Sequence, residues 1–189
     1  MTQNTNNNIE LLRHRIDEYS DHLIITDANS VILYMNPAAE EHTGFSFAEA
    51  KGKRPGELWG GHMPKPFYEA MWQTIKKEKR LFVGEVENVR KDGVHYWQAL
   101  DISPVLNASD EPEFFIAIEL KFASEKAVDM INNAGRAGSS VDISIRSFRW
   151  ILAWLFAHSV ISSEEEKELS ESMDKDASGA DFVAKILAV

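Results

Sequence analysis

Residues 87–105 read ENVRKDGVHYWQALDISPV, two alternating runs on either side of Lys91-Asp92-Gly93. Alternation with period two marks strands that bury one face, and an Asp-Gly step between two such runs marks a hairpin. This hairpin carries carboxamides at Asn88 and Gln98, which flank the turn on paired strands and can lie near each other. Buried without partners, two such groups would cost free energy. Three environments are open to them: bonds to backbone or water, a solvent-facing surface, or a polar guest that uses both their donors and their acceptors.

Working outward, HLIITDANSVILYMN (22–36) predicts two short strands, Leu23–Thr26 and Val31–Tyr34, divided by a turn at Asp27-Ala28-Asn29-Ser30. Pro37 opens a helical stretch that Gly44 closes as a C-cap, and 46–50 predicts a further short helix. A Gly- and Pro-containing loop fills 51–64. KPFYEAMWQTIKKEK (65–79) follows as a helix with Phe67, Met71, Trp72 and Ile75 on one side. Strands are expected over 82–89, 95–105 and 113–122, with turn-forming NASDEP between the last two. The order of elements gives an α+β domain over 21–122. Ahead of it, 1–20 reads as a disordered leader (1–8) and a short amphipathic helix carrying Ile9, Leu12, Ile16 and Tyr19.

After Phe122 the texture changes. Residues 123–140 read as a linker and 141–189 as wholly helical, a dimerisation or partner-docking region. SFRWILAWLFAHSVI (147–161) is apolar nearly all round, so it must bury more than one side, against the preceding domain or a second copy. Ser163 to Glu166 reads as a capping box, and Asp181–Val189 as the last helix. DKDASGADFVAK (174–185) has Asp174, Asp176, Ser178 and Gly179 in the spacing of a calcium loop. Lys185 stands where the bidentate Glu belongs, so the stretch reads as helix termination and recapping.

The 189 residues include no cysteine, which excludes disulfides, thiolate metal sites and cysteine nucleophiles. The formal charge of −10 argues against nucleic acid and anionic membrane as partners. The N-terminal residues lack the charged and apolar regions of a signal peptide, and the apolar run at Trp150–Val160 is too short to span a bilayer. A cytoplasmic location is expected.

The pieces ITDANSVILYMNPAAEEHTGFS, AKGKRP, FYEAMWQTI, GEVENVRKDGVHYWQALDISPV and FFIAIEL resemble, in order and spacing, the PAS sensory family over about 21–122. The resemblance implies a five-stranded antiparallel sheet cupping a pocket against short helices, and a bacterial-type signal sensor. It is nearest to flavin-binding members, the light-oxygen-voltage domains and the flavin-containing redox sensors of nitrogen-fixing bacteria. On that likeness Asn88, Gln98 and Glu119 meet the pyrimidine edge of FAD or FMN, and Trp72 and Trp59 pack its ring. Light-oxygen-voltage domains carry a photoreactive cysteine in Gly-Arg-Asn-Cys-Arg-Phe-Leu-Gln; here GKRPGELW (52–59) puts Pro55 at that position. A flavin–cysteine adduct is therefore excluded. Arg54 and Pro55 also stand where the family has residues that help hold the ring. Haem, the other familiar cofactor, is disfavoured because the long helix has no His; His62 and His42 lie before it.

Glu119 has two readings. Inside, burial would disfavour its ionised form; outside, it would pair with Lys121 or Lys91. No nucleophile–base pair, phosphate loop or metal cluster supports an enzyme. The expected function is therefore a ligand sensor that relays its state through the C-terminal helices to a homodimer partner or a downstream signalling protein. The alternative is a cofactor-free interaction module whose cup is filled by Trp59, Trp72, Phe67 and Phe115.

Overall fold

The structure, a computed structural model, describes residues 3–120, 148–174 and 177–189. They fall into two compact units, 17–104 with 112–122, and 1–16 with 105–111 and 123–189. The expected linker at 123–140 lies outside the described residues.

The first unit is built on a five-stranded antiparallel sheet. In chain order it comprises β1 (His22–Asp27), β2 (Ile32–Met35), α2 (Pro37–Thr43), α3 (Phe47–Ala50), α4 (Lys65–Trp72), β3 (Phe82–Val89), β4 (His95–Leu106) and β5 (Pro112–Leu120). The strand order is β2-β1-β5-β4-β3, so the first strand pairs with the last and the expected hairpin forms one edge. Turn chemistry fixes that hairpin: Gly93 sits at φ 89°, and the Asp92 carboxylate accepts from Val94 N–H at 3.1 Å. The register sets Asn88 against Tyr96 and Val86 against Gln98. Asn88 and Gln98 thus share the inner face as diagonal rather than direct neighbours.

Two local departures shape the cup. The helix expected over 65–79 is α-helical only to Trp72; Gln73–Lys77 is a π turn, in which Glu78 N–H donates to the Gln73 carbonyl five residues back. Single π turns commonly occur at functional sites, and this one keeps Met71 and Ile75 buried together. The loop 51–64 is also more ordered than its composition suggests. Pro55 O accepts from the N–H groups of Leu58, Trp59 and Gly60, and Trp59 O accepts from Val89 N–H at 2.8 Å, which ties the loop to β3.

Asn36 is the polar hub of this unit. Fully buried, its Oδ1 accepts from Leu23 N–H and Ala39 N–H, while its Nδ2 donates to the carbonyls of Tyr19 and Asp21. One side chain thereby caps α2, aligns β1 and holds the segment entering the sheet. Gly44 closes α2 at φ 78°, and a Cβ there would stand 3.3 Å from the Lys91 Cβ.

The second unit is helical. Its members are α1 (Gln3–Glu18, of which 3–16 belong here), the tip of the β4–β5 hairpin, α5 (Phe148–Ala157), α6 (Ser163–Ser172) and α7 (Gly179–Leu187). The segment expected to be a disordered leader is helical from Gln3 onward. Further along α1, Ile9, Leu12 and Ile16 form a buried stripe, Arg15 pairs with Glu165 at 2.7 Å, and Arg13 reaches Ile186 O at 3.3 Å. The apolar helix α5 buries Phe148, Ile151, Leu152, Trp154 and Leu155 beside α6 and α7, with Phe148 and Phe182 ring centres 6.0 Å apart. Within its own unit the helix packs against α6 and α7, while Phe156 on it stays 41% exposed.

The caps differ by small shifts from expectation. The box before α6 uses Ser162 and Glu165, one residue earlier than the alternative Ser163–Glu166 reading, because Val160 and Ile161 are buried just ahead and fix the chain's entry. Ser178 and Asp181 box the start of α7, which begins at Gly179. Within the calcium-like stretch, Asp176 lies outside the described residues; Ser178 serves as a cap, and Lys185 approaches Met173 Sδ at 3.9 Å.

Two stability predictions follow from these contacts. Asn36→Ala strands the Leu23 N–H and two carbonyls and removes the side-chain cap from Ala39 N–H, so we expect a loss of about 2–4 kcal/mol in urea unfolding of the sheet unit, beyond that of a simple cap. Phe182→Ala opens a cavity in the helical unit and should cost about 3–5 kcal/mol, read as an earlier thermal transition by far-UV circular dichroism.

Candidate functional site

The inner face of the sheet, α4 and the 54–61 loop enclose a cavity of about 330 Å³. That is the size of a small-ligand site. Its walls are apolar: Ile24 from β1, Met71, Trp72 and Ile75 from α4 and its π turn, Val86 from β3, Leu100 and Ile102 from β4, and Phe115 from β5. Trp72 meets Phe115 edge-on, ring centres 5.9 Å apart, and Lys76 Nζ lies 4.6 Å above the Trp72 ring. Trp59 lines the same space from the loop while anchoring a cluster with Ile24, Ile32 and Met35. Of the aromatics expected to fill the cup, Trp59, Trp72 and Phe115 line it, and Phe67 packs against Phe82 without lining it.

Of the polar residues that line the cavity, which also include Thr26, Ser30 and Arg54, Asn88 and Glu119 form a bonded pair. Asn88 and Glu119 both face the cavity, and Asn88 Nδ2 donates to Glu119 Oε2 at 3.2 Å. The same carboxylate oxygen lies 3.3 Å from His22 Nδ1, from the residue directly opposite it on β1. Behind them, His22 Nε2 is 2.8 Å from His42 Nδ1 of α2 and 3.4 Å from Gln98 Nε2 of β4. Gln98 Oε1 is buried without a hydrogen-bond partner. Tyr96 stands edge-on to His42 at 4.7 Å, its hydroxyl likewise buried and unpartnered. Burial, and then the charge of Glu119, hold that phenol well above its ordinary range, with Asn88 and Arg90 pulling weakly the other way.

Four of the five expected site residues, Asn88, Glu119, Trp72 and Trp59, meet in one cavity. Gln98 is the correction: it is inward and buried, yet it serves His22 and does not line the cavity. The register explains this, since Gln98 lies across from Val86, two residues from Asn88 along β3. Of the two lysines expected as partners of an outward Glu119, Lys91 binds Glu49 instead, at 2.5 Å, and Lys121 lies outside the described residues. The unforeseen member is His22. Its signal was available, because His22, Ile24 and Thr26 alternate on β1, and Ile24 and Thr26 line the cavity.

The set suits a flat guest with apolar faces and one edge carrying both donors and acceptors, the character of an isoalloxazine. His42 is committed to His22, His62 stacks loosely against His95 at 6.0 Å, and among the described residues no group of three or more His, Asp or Glu could hold a metal ion. Among them, too, no helix is long and apolar enough to cross a membrane.

Comparison with known proteins agrees with this architecture. Over 104 residues the chain is 35% identical to a nitrogen fixation regulatory protein of Klebsiella oxytoca, covering 55% of this chain and 21% of that protein. Over 115 residues it is 29% identical to the aerotaxis receptor of Escherichia coli K12, covering 60% and 22%. The chain thus spans about a fifth of the length of these curated relatives. Among solved structures, the light-oxygen-voltage protein of Rhodobacter sphaeroides aligns with 97% of each chain at a TM-score of 0.55 and 16% identity, a likeness of fold alone. A family model described as the PAS domain matches residues 20–120, more than half of the sequence, and the chain belongs to that family.

Proposed function

We propose that this PAS domain is a sensor whose cavity holds a flavin, FAD or FMN, and whose state is relayed through the C-terminal helices. The observation that carries the reading is the pairing of an apolar, tryptophan-walled cavity with one polar end made by Asn88 and Glu119. Trp72 and Trp59 would pack the ring, and Asn88 and Glu119 would meet its pyrimidine edge. When bound, the flavin would supply electron-accepting chemistry. The chain's own groups orient its edge, exclude water from its faces and hold protons behind the wall.

The names of the relatives support a sensing role: one is a regulatory protein, one an aerotaxis receptor. Pro55 excludes the cysteine adduct, so the signal in this reading is redox rather than covalent photochemistry. The protein is a non-enzymatic module of the cytoplasm in the same reading. It works as a homodimer or with a downstream signalling protein, and the outward-facing Trp97, 59% exposed, and Val83 of the β3–β4 edge offer apolar surface for such contacts.

The test is reconstitution. Purified protein incubated with FAD or FMN and then desalted should retain the flavin visible absorbance, and mass spectrometry after denaturation should identify which flavin it kept. Protein that stays colourless after both incubations would end the flavin reading. Trp72→Ala should weaken the retained flavin about tenfold in a fluorescence titration, the equivalent of ~1.4 kcal/mol of lost ring packing.

A further inference from the structure

Behind the polar end of the cavity lies a buried line of titratable groups that ligand packing alone does not require. Glu119 Oε2, His22 Nδ1, His22 Nε2 and His42 Nδ1 follow one another at 3.3 Å and 2.8 Å across the imidazole of His22, and Asn88 hangs from the same carboxylate oxygen. We propose that His22 and His42 are positioning residues for the Asn88–Glu119 edge of the cavity, acting through one exchangeable proton that the line Glu119–His22–His42 shares.

Hydrogen-bond bookkeeping carries the inference. As the side chains stand, Asn88 N–H donates to Glu119, His22 Nδ1–H donates to the ionised carboxylate, and His22 Nε2 accepts from His42 Nδ1–H and, more weakly, from Gln98 Nε2–H. That state carries one negative charge and leaves Gln98 Oε1 without a donor. Adding one proton reverses the line. Nε2 of His22 becomes a donor to Nδ1 of His42, whose own proton moves to its other nitrogen, and the net charge falls to zero. Gln98 can then turn its carbonyl toward His22.

Glu119, His22 and the facing nitrogen of His42 keep a partner in both states, and Gln98 changes the atom it presents, so the line can hold either proton count at modest cost. The two states differ by one charge on the His22 ring, 3.3 Å from the carboxylate oxygen that orients Asn88, and the difference reaches the cavity through that contact.

The groups facing the pair are Glu119 on β5 and Gln98 on β4 beside His22, and Tyr96 on β4 beside His42, with Arg90 acting on Tyr96 from the turn. Tyr96 keeps its proton at neutral pH and cannot be the acceptor.

The ligand arm of this proposal rests on the flavin reading; the proton line itself does not. In the full chain without ligand, nitrogen NMR of the histidine rings and of the side-chain amides is followed from about pH 5 to 8, where imidazoles titrate. His22 and His42 should share one midpoint, and the Asn88 side-chain amide should shift with it. Separate midpoints, or an Asn88 amide that ignores them, would overturn the proposal.

His42→Gln, at a half-buried position, should abolish the Asn88 response while leaving a dispersed, folded spectrum. A persisting response would also count against it. In the second arm FMN affinity is titrated across the same range. Up to tenfold change per pH unit is expected for one linked proton, flattened in His42→Gln. Bound FMN with a pH-independent affinity would sink the link to the cavity. No FMN binding beside an intact NMR titration would instead sink the flavin reading and leave the positioning pair standing.

Discussion

A carboxylate inside a β-sheet is the constraint around which this domain is arranged. Glu119 is 6% exposed on β5, with an apolar cavity before it and other strands on both sides. A buried charge without partners would cost several kcal/mol, and the fold meets that demand from two strands at once. β1 supplies His22 directly opposite, and β3 supplies Asn88 from across the sheet. Because these bonds depend on the strand order β2-β1-β5-β4-β3, the polar end of the cavity and the topology of the sheet specify each other.

The rest of the cavity follows from where the chain is kept from filling it. Trp59, Trp72 and Phe115 are large enough to occupy the cup, yet each is held by something outside it. Trp59 is fixed by the 54–60 loop, whose carbonyl at Pro55 gathers three N–H groups. Trp72 is fixed by its place just before the π turn and by Lys76 over its ring. Phe115 is fixed by β5. Aromatics anchored this way become walls, and space remains between them.

Much of this was legible in the residues. The Lys91-Asp92-Gly93 turn, the Gly44 cap and the alternation of β3 and β4 placed the sheet, and four of the five expected site residues converge. What could not be read was contact across distant sequence. His22 and Glu119 are 97 residues apart and meet only through the β1–β5 pairing, while His42 arrives from a helix whose orientation Asn36 sets. Gln98 illustrates the same limit at short range: a register in which Val86, not Asn88, opposes it turned an expected ligand contact into a support for His22. The π turn and the Ser162 cap were likewise decided by burial of neighbours rather than by local propensity.

The absence of any thiol gives these buried bonds a larger share of whatever the domain does. A covalent adduct can signal by forcing atoms to move; Pro55 removes that route here. On the proposed reading, a guest in the cavity would act on the protein through van der Waals contact with its faces and through hydrogen bonds such as those of Asn88 and Glu119. The apolar walls respond little to a change of charge on the guest, because dispersion is nearly indifferent to it. The polar end responds strongly, since in a low-dielectric setting one charge alters which partner donates and which accepts. On the proposed reading, a change of state in a bound flavin would be read first at Glu119, with His22 and His42 placed to answer it.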